Sequence, residues 1–256
     1  MNTPLLRRNI VTLDMWDPGV RAAYADIDLL HKAVVAPFTA DVEGLHPAEI
    51  PDLWGVGATE LRTLPVRANN RVLFIARVYN RTMQVMVQQY FPAGTEVTDA
   101  DWDRFPLPVV SNQVINLSGD QVQLEKGTRV AFEVLLNPVS NVLSREKRDD
   151  GRFKRGAKQI ARHREVPGWL ASRADRTGLD IDMDRLIVGN PSRMESQSKA
   201  QPSTEQDGKK QVFRATVYRV KGYATVTDPD ALVAVQGTGL GSSRTWGCGL
   251  LLVKPF

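Results

Sequence analysis

His31 is the residue in this chain best placed to move protons, because an imidazole titrates near neutral pH. The chain has three histidines and one cysteine, so few other side chains could carry protons or act as a nucleophile. His31 falls on the same helical stripe as Ile27 and Val35, at the edge of an apolar face. A single histidine at a helix edge is also a common structural residue. The residues alone therefore identify a candidate for acid–base chemistry and leave the structural alternative open.

The other histidines and the cysteine form no pattern of metal ligands or nucleophiles. His46 precedes Pro47 in a polar segment, and His163 lies in a basic run, so neither is spaced with carboxylates as ligands are. Cys248 alone can complete neither an internal disulfide nor a cysteine-based zinc site, which fits a reducing compartment. We predict a cytoplasmic protein with no metal, no cofactor and no membrane partner, since no apolar run is long enough to span a bilayer.

A glycine-dense segment near residue 240 could place backbone against a phosphate. Glycine permits positive φ and close approach to a ligand, and successive N–H groups can form an anion-binding concavity. The GxGxxG pattern fails because position 242 is serine, and a final strand rather than a helix is expected to follow. The candidate phosphate contacts are Gly239, Gly241, Ser242, Ser243 and Arg244. The alternative is a tight turn that leads into a core strand.

Positive charge is concentrated between residues 145 and 164. Nine basic and three acidic residues give this segment a charge of +6, although the whole chain has only +4. Such a concentration is typical of a nucleic-acid groove. The candidate nucleic-acid contacts are Arg145, Lys147, Arg148, Lys154, Arg155, Lys158 and Arg162. A solvated basic loop, or a surface that contacts an acidic protein, would have the same composition.

The elements that must position these residues follow a β-α-β-β-α-β order twice. In the first half we predict a strand at 9–14, a turn at 17–19, a helix at 26–38, a hairpin of strands at 71–79 and 83–90, a short helix at 98–105 and a strand at 109–117. In the second half we predict a strand at 128–136, a helix at 166–174, strands at 184–188 and 212–220, a helix at 228–235 and a last strand at 249–253.

These elements predict an α+β chain of two ferredoxin-like domains, residues 1–118 and 119–256, each with the βαββαβ plan. The segment 191–210 is almost wholly polar and lies between two predicted strands. We therefore expect a mobile loop at the tip of a projecting hairpin, with a dispensable linker as the alternative.

Three segments resemble one known family. The glycine-rich loop with Trp246-Gly247-Cys248-Gly249-Leu250-Leu251 closely resembles the C-terminal signature of CasE, the CRISPR RNA-processing endoribonuclease family of type I-E Cascade complexes. The segment 129–139, followed by the basic residues at 145–148, resembles the start of that family's second domain. Residues 26–31 open a helix as the family's catalytic-histidine helix does.

The resemblance implies the tandem ferredoxin-like fold of the RAMP superfamily and a catalytic role for His31. In the family, the histidine acts with a tyrosine about one helical turn earlier, and Asp28 holds that position here. Asp28 could orient the imidazole or could be a solvated first-turn residue, and Tyr24 is a second possible substitute for the tyrosine. The family also inserts a hairpin equivalent to 191–210 at the base of the RNA stem.

The function implied is metal-independent cleavage at the base of the repeat stem-loop of precursor CRISPR RNA. The 2′-OH attacks the neighbouring phosphate, so the enzyme needs proton transfer, in-line geometry and cations that offset the transition-state charge. Arg244 with the serines and N–H groups of the loop, or Lys158 with Arg162, could supply that charge, and the other basic residues would grip the stem. The resemblance further implies that the protein keeps the cleaved hairpin and joins Cascade. A non-catalytic RNA-binding scaffold and a basic protein-interaction module are the alternatives.

Overall fold

The computed structural model of the chain describes residues 4–38, 72–94, 97, 99–147, 153–196 and 214–256. The chain divides into two compact units. The first comprises Met1–Gln123, Glu195–Phe213 and Thr245–Gly247, and the second comprises Leu124–Met194, Arg214–Arg244 and Cys248–Phe256. Both units combine helices with antiparallel strands, which confirms the predicted α+β class. Within the described ranges, no helix is long and apolar enough to cross a membrane.

The first unit is a four-stranded antiparallel sheet with two helices inserted after its first strand. Its elements are β1 (Leu5–Asp14), α1 (Pro18–Ala25), α2 (Ile27–Val35), β2 (Val72–Tyr79), β3 (Thr82–Phe91) and β4 (Val109–Ser118). The strands lie in the order β2-β3-β1-β4, and every neighbouring pair is antiparallel. This is the strand order of a ferredoxin-like domain, so the predicted plan is confirmed here.

Local sequence signals explain where both helices begin. Asp17 caps α1 through a hydrogen bond from the Val20 N–H to its side chain, 3.0 Å long, and Pro18 follows at the first helical position. The turn predicted at 17–19 is therefore wrong, because aspartate and proline start a helix there. Asp26 caps α2 in the same way by accepting from the Asp28 N–H at 3.0 Å.

The short capped helix predicted at 98–105 is present only as a shorter 3₁₀ helix. The structure has a single 3₁₀ turn, Trp102–Arg104, in which Asp101 accepts a hydrogen bond from the Asp103 N–H. Pro106 follows directly after Phe105, and a residue before proline is disfavoured in the helical region. A helix therefore cannot easily extend past Phe105.

The second unit repeats the plan with an interrupted second strand. Its elements are β5 (Arg129–Leu136), β6 (Val139–Lys147), β7 (Phe153–Ile160), α3 (Val166–Ala171), α4 (Ala174–Thr177), β8 (Leu179–Ile181), β9 (Ile187–Val188), β10 (Ser192–Glu195), β11 (Arg214–Val226), α5 (Pro229–Thr238) and β12 (Leu252–Pro255). The main sheet has the order β10-β11-β5-β12, and β8 and β9 also pair with β11. Its core includes Val134, Leu136, Val220 and Leu232, all fully buried.

Several predicted elements of this unit have different bounds, among them two strands and a hairpin. The strand predicted at 184–188 is shortened to Ile187–Val188, because Asp182 accepts from the Arg185 N–H at 3.3 Å and caps a 3₁₀ turn at Met183–Arg185. The last strand starts later than residue 249, because Gly247 and Gly249 both have positive φ and cannot continue an extended strand. Of the hairpin predicted over 191–210, β10 is described, and residues 197–210 lie outside the described ranges.

The basic segment forms strands that the sequence pattern did not predict. β6 and β7, which follow β5 and precede α3 in the chain, pair with each other as a separate antiparallel ribbon, here called the basic ribbon. Their register places Leu143 opposite Arg155 and Asn141 opposite Lys158. The candidate RNA contacts of this segment therefore lie on a two-stranded ribbon beside the ferredoxin-like plan.

Candidate active site and nucleic-acid interface

His31 lies among aromatic rings of the first unit. It is carried by α2, whose residues Ile27, Leu30 and Val34 are buried, and only about 9% of His31 is exposed. The imidazole is nearly parallel to the Phe74 ring, with ring centroids 6.4 Å apart. The Trp246 ring meets it edge-on, at a centroid separation of 5.4 Å. These contacts fix the imidazole plane, as a proton-transfer group requires.

Gly247 is part of the same arrangement. Its φ is +80°, and a Cβ added there would lie only 2.9 Å from Cε2 of Phe74. The absence of a side chain therefore allows Phe74 to reach its position beside His31. The Trp246-Gly247 dipeptide belongs to the family signature in the sequence, but no sequence pattern connects it with His31 or with Phe74.

The two candidate partners of His31 have different surroundings. The Asp28 side chain forms an ion pair with Lys32 on the next turn of α2, with 2.8 Å between Oδ2 and Nζ. Tyr24 belongs to α1 rather than to the helix of His31, and about half of it is exposed. Asp26 separates the two helices, since it ends α1 and caps α2. The roles predicted for Asp28 and Tyr24 stay predictions.

The glycine-rich loop begins where α5 ends in the second unit. Gly239 ends this helix with a φ of +77°, and Gly241 and Ser243 also have positive φ. The Gly239 N–H donates to the Val235 carbonyl at 2.7 Å, and the Leu240 N–H donates to the Gly249 carbonyl at 2.9 Å. These N–H groups are engaged within the fold. An anion at this loop would therefore be bound through side chains rather than through the N–H groups of Gly239 and Leu240.

The two serines of the loop are tied to the end of β5. Ser242 forms an isolated antiparallel bridge with Asn137. The Asn137 side-chain amide donates to the Ser243 Oγ at 2.7 Å, and the Cys248 N–H donates to the Ser243 carbonyl at 3.3 Å. These bonds stabilise the loop conformation that Gly239 and Gly241 begin.

Arginines outside the predicted set of phosphate contacts also lie around the loop. A cavity of about 480 Å³ in the second unit is lined by Arg173, Arg176 and Arg244 together with Gly239 and Gly241. The Arg244 Nη1 donates to the Thr238 carbonyl at 2.8 Å, which holds this guanidinium against the end of α5. Of the predicted phosphate contacts, the cavity therefore brings together Gly239, Gly241 and Arg244.

Arg173 is held in place by the Trp169 ring. Its Cζ lies 3.8 Å from the ring centroid, and its Nη1 donates to the Trp169 carbonyl at 2.9 Å. Burial, and then the nearby charge of Arg176, lower the pKa of Arg173. A bound anion would relieve the repulsion between these cations. The signal that could have found them is the spacing of Arg173 and Arg176, three residues apart at the end of the helix predicted at 166–174.

The basic ribbon holds most of the other predicted contacts. Arg145 and Lys147 lie on β6, and Lys154, Arg155 and Lys158 lie on β7. Arg148 lies outside the described residues, and Arg162 follows β7, where its backbone N–H donates to the Glu165 Oε2 at 2.8 Å. A strand ribbon that carries several cations can follow the phosphates of an A-form stem, so this placement suits the predicted contact with RNA.

Cys248 and His163 have surroundings typical of residues that stabilise the fold. Burial raises the pKa of the Cys248 thiol to about 12, so the thiol stays protonated near neutral pH. The His163 Nε2 lies 3.2 Å from the Val188 carbonyl, and its ring packs near Tyr218. His46 lies outside the described residues. Within the described ranges, no three His, Cys, Asp or Glu side chains are grouped as a metal ion would require.

The chain is similar to known CRISPR proteins over almost its whole length. Residues 8–255 match the family described as CRISPR associated protein. Over 161 residues, 60% of this chain and 71% of the relative, it is 26% identical to the CRISPR system Cascade subunit CasE of Escherichia coli (strain K12). This relative confirms the resemblance to CasE seen in the sequence.

Two solved structures have a similar fold. A structure of CRISPR endoribonuclease Cse3 bound to a 19-nt RNA matches with a TM-score of 0.64 and 18% identity, covering 98% of this chain and 100% of that one. Cse3 of Thermus thermophilus, bound to an RNA representing a pre-cleavage complex, matches with a TM-score of 0.63 and 15% identity, covering 98% and 99% of the two chains. At these identities the likeness concerns the fold.

Proposed function

The chain belongs to the CRISPR-associated protein family, and from this premise we propose that it is an endoribonuclease of CRISPR RNA processing. It binds the repeat stem-loop of precursor CRISPR RNA, cleaves at the base of the hairpin and stays bound to the product as a Cascade subunit. The observation that carries the proposal is the position of His31, whose imidazole is held by Phe74 and Trp246. The solved structures with a similar fold include CRISPR endoribonucleases bound to RNA, which supports it.

The proposed reaction is an internal transesterification that needs no metal ion. The 2′-OH loses its proton and the 2′-oxygen bonds to the adjacent phosphorus, while the bond from phosphorus to the 5′-oxygen breaks. The 5′-oxygen takes up a proton, so the products end in a 2′,3′-cyclic phosphate and a 5′-hydroxyl. His31 moves one of these protons, because imidazole can both take and give a proton near neutral pH.

The cations of the second unit serve binding and charge in this proposal. The ribbon residues Arg145, Lys147, Lys154, Arg155 and Lys158 contact the phosphates of the A-form stem, which proteins recognise by shape and backbone. Arg173, Arg176 and Arg244 surround a cavity that suits a phosphate group. The relative named as a Cascade subunit supports assembly into that complex.

A non-catalytic RNA-binding scaffold is the second candidate function. The observation that favours it is the ion pair between Asp28 and Lys32, since Asp28 stands at the position of the family's tyrosine. A carboxylate that is neutralised by a lysine is poorly available to a reacting group. The two functions share the binding surface and differ only in whether His31 transfers a proton.

One experiment separates these functions. A 5′-labelled hairpin RNA is incubated with the protein in EDTA, and the products are separated on a denaturing gel, while binding is measured on the same RNA with a 2′-deoxy nucleotide at the cleavage position. The proposal predicts cleavage in EDTA, a cyclic phosphate end, and tight binding without cleavage of the deoxy RNA. Binding without cleavage of either RNA would identify a scaffold. Absence of binding would point to a protein-interaction module.

A further inference from the structure

The second unit has an open sheet face that the proposed function does not use. Alternate residues of β5 and β11, among them Val130, Phe132 and Val220, are buried in the core, so their neighbours face the other way. On that outer face, Tyr223 and Lys254 both lie opposite Ala131 in the strand register. A tyrosine, an alanine and a lysine thus stand side by side across three adjacent strands.

Two large aromatic side chains are exposed on this face. Tyr223 is 42% exposed and Phe256 is 66% exposed, and their rings meet edge-on with centroids 5.4 Å apart. The small Ala131 between the strands leaves an open depression of about 490 Å³, which these two rings help to line. Aromatic rings that served only the core would be buried, whereas these two rings are accessible to a ligand.

Cations surround the two rings. Arg129 lies over Phe256, with its Cζ 5.5 Å from the ring centroid, and Arg185 and Lys254 line the depression. Among the described residues, neither Arg129 nor Lys254 has a carboxylate partner, and Arg185 pairs with Asp182 at 3.6 Å.

The carboxylates of the same sheet face are fewer than its cations. Glu133 is already paired with Arg219 and Lys221, at 2.9 and 3.6 Å, and Asp180 lies opposite Thr225 in the register of β8. The face as a whole is therefore cationic around exposed aromatic rings.

We propose that this face, the platform formed by Arg129, Ala131, Arg185, Tyr223, Lys254 and Phe256, binds an unpaired RNA strand. Aromatic rings on an open sheet stack with bases that are free of a duplex, and flanking cations meet the phosphates. A base-paired stem cannot use such a site, because its bases are stacked on one another. The platform thus goes beyond the proposed function, which concerns a stem-loop, and would hold single-stranded nucleotides outside the hairpin.

The platform is tested with the full chain and a fluorescein-labelled probe of about eight unpaired uridines. Binding is followed by fluorescence anisotropy over a series of salt concentrations. The combined substitution Tyr223→Ala and Phe256→Ala is expected to weaken binding about tenfold or more, because each base–ring stack contributes substantially. The dependence of log K on log salt should not change, since no charge is removed. Arg129→Gln should reduce that salt slope by about one.

Trp16→Ala is the matched control, because Trp16 is 64% exposed in the first unit and Arg81 lies over its ring at 5.8 Å. It should leave probe binding unchanged. Tyr223→Phe should bind as the parent does. Replacing both platform rings with leucine should bind as poorly as the alanine pair, since leucine keeps apolar area but cannot stack on a base. Melting temperatures are measured for each variant.

Three results would overturn the platform. They are parental affinity in the alanine pair, an equal loss in Trp16→Ala, and full binding by the leucine pair, which would indicate an apolar surface for a protein. Cleavage of the hairpin RNA is measured on the same preparations. Cleavage with no ring-dependent probe binding would refute the platform and leave the proposed function intact. Ring-dependent probe binding without cleavage would refute the proposed function and leave the platform intact.

Discussion

The edge of the Trp246 ring meets the imidazole of His31 at a centroid distance of 5.4 Å, although the two residues are far apart in the chain. An edge-to-face contact of this kind stabilises one orientation of each ring. Phe74 contacts the same imidazole in a stacked arrangement at 6.4 Å. Trp246 and Phe74 are therefore positioning residues for His31 in the proposed reaction.

Trp246→Ala is expected to slow single-turnover cleavage of the hairpin RNA by about tenfold, because an imidazole that can rotate spends less time in the reactive orientation. Hairpin affinity should change by less than about threefold, since the indole carries no charge to meet a phosphate. Trp246→Phe should recover part of the rate. A large loss of affinity with a parental cleavage rate would instead assign Trp246 to stacking on an RNA base.

Gly247→Ala should impair cleavage more than its backbone strain explains. Alanine at a φ of +80° costs about 1–2 kcal/mol, and the added Cβ would meet Phe74 at 2.9 Å. Gly94→Ala is the matched control, with a φ of +81° and open space around the new methyl group. Both variants incur the positive-φ cost, and Gly247→Ala should lose further stability in thermal melts because Phe74 must shift; only Gly247→Ala should also cleave several-fold more slowly. Equal cleavage rates would show that Gly247 serves only the turn.

The contrast between α1 and α2 shows which local features the sequence specifies. Asp26 and the apolar spacing of Ile27, Leu30 and Val34 predicted the second helix almost to its ends, because cap and periodicity lie within one short segment. For the first helix the sequence predicts a turn instead, since Pro18 and Gly19 are frequent in turns. Only the bond from the Val20 N–H to Asp17 shows that proline stands at a helix start.

Neither the basic ribbon nor the neighbours of His31 could be predicted from the sequence, and the reasons differ. Strands are recognised by apolar alternation, and the charged β6 and β7 pair through backbone groups that nearly any residue supplies. His31 could be selected from residue type and helix edge, and its helix was predicted. Its neighbours Phe74 and Trp246 come from distant segments, and only tertiary packing brings them to it.

Combined substitution of Lys154, Arg155 and Lys158 by alanine tests the basic ribbon. If all three contact phosphates, hairpin affinity should fall and the slope of log K against log salt should flatten by up to about three, because each lost contact releases one counterion fewer. Lys126→Ala, an exposed lysine in the turn before β5, is the control and should leave the slope unchanged. An unaltered slope in the triple variant would mean that the ribbon is a solvated surface.

Arg176→Gln tests the cationic cavity. Burial lowers the pKa of Arg173, and the charge of Arg176 lowers it further, because the two guanidinium groups repel each other in the free protein. Removing one should leave the melting temperature unchanged or slightly raised, while hairpin affinity falls several-fold and the salt slope decreases by about one. Lower stability with unchanged affinity would contradict a phosphate-binding role and indicate a structural arginine.

The most direct test of the account is the cleavage rate of His31→Ala in EDTA. Loss of an acid–base group typically costs about 10²- to 10⁴-fold in rate, so cleavage should fall at least a hundredfold. Hairpin affinity should stay within about threefold, because the imidazole contributes little to phosphate attraction. His163→Ala, an exposed histidine in the second unit, should cleave as the parent does, and melting curves of both variants report folding. A folded His31→Ala protein that cleaves the hairpin at the parental rate would show that His31 does not transfer a proton in the reaction.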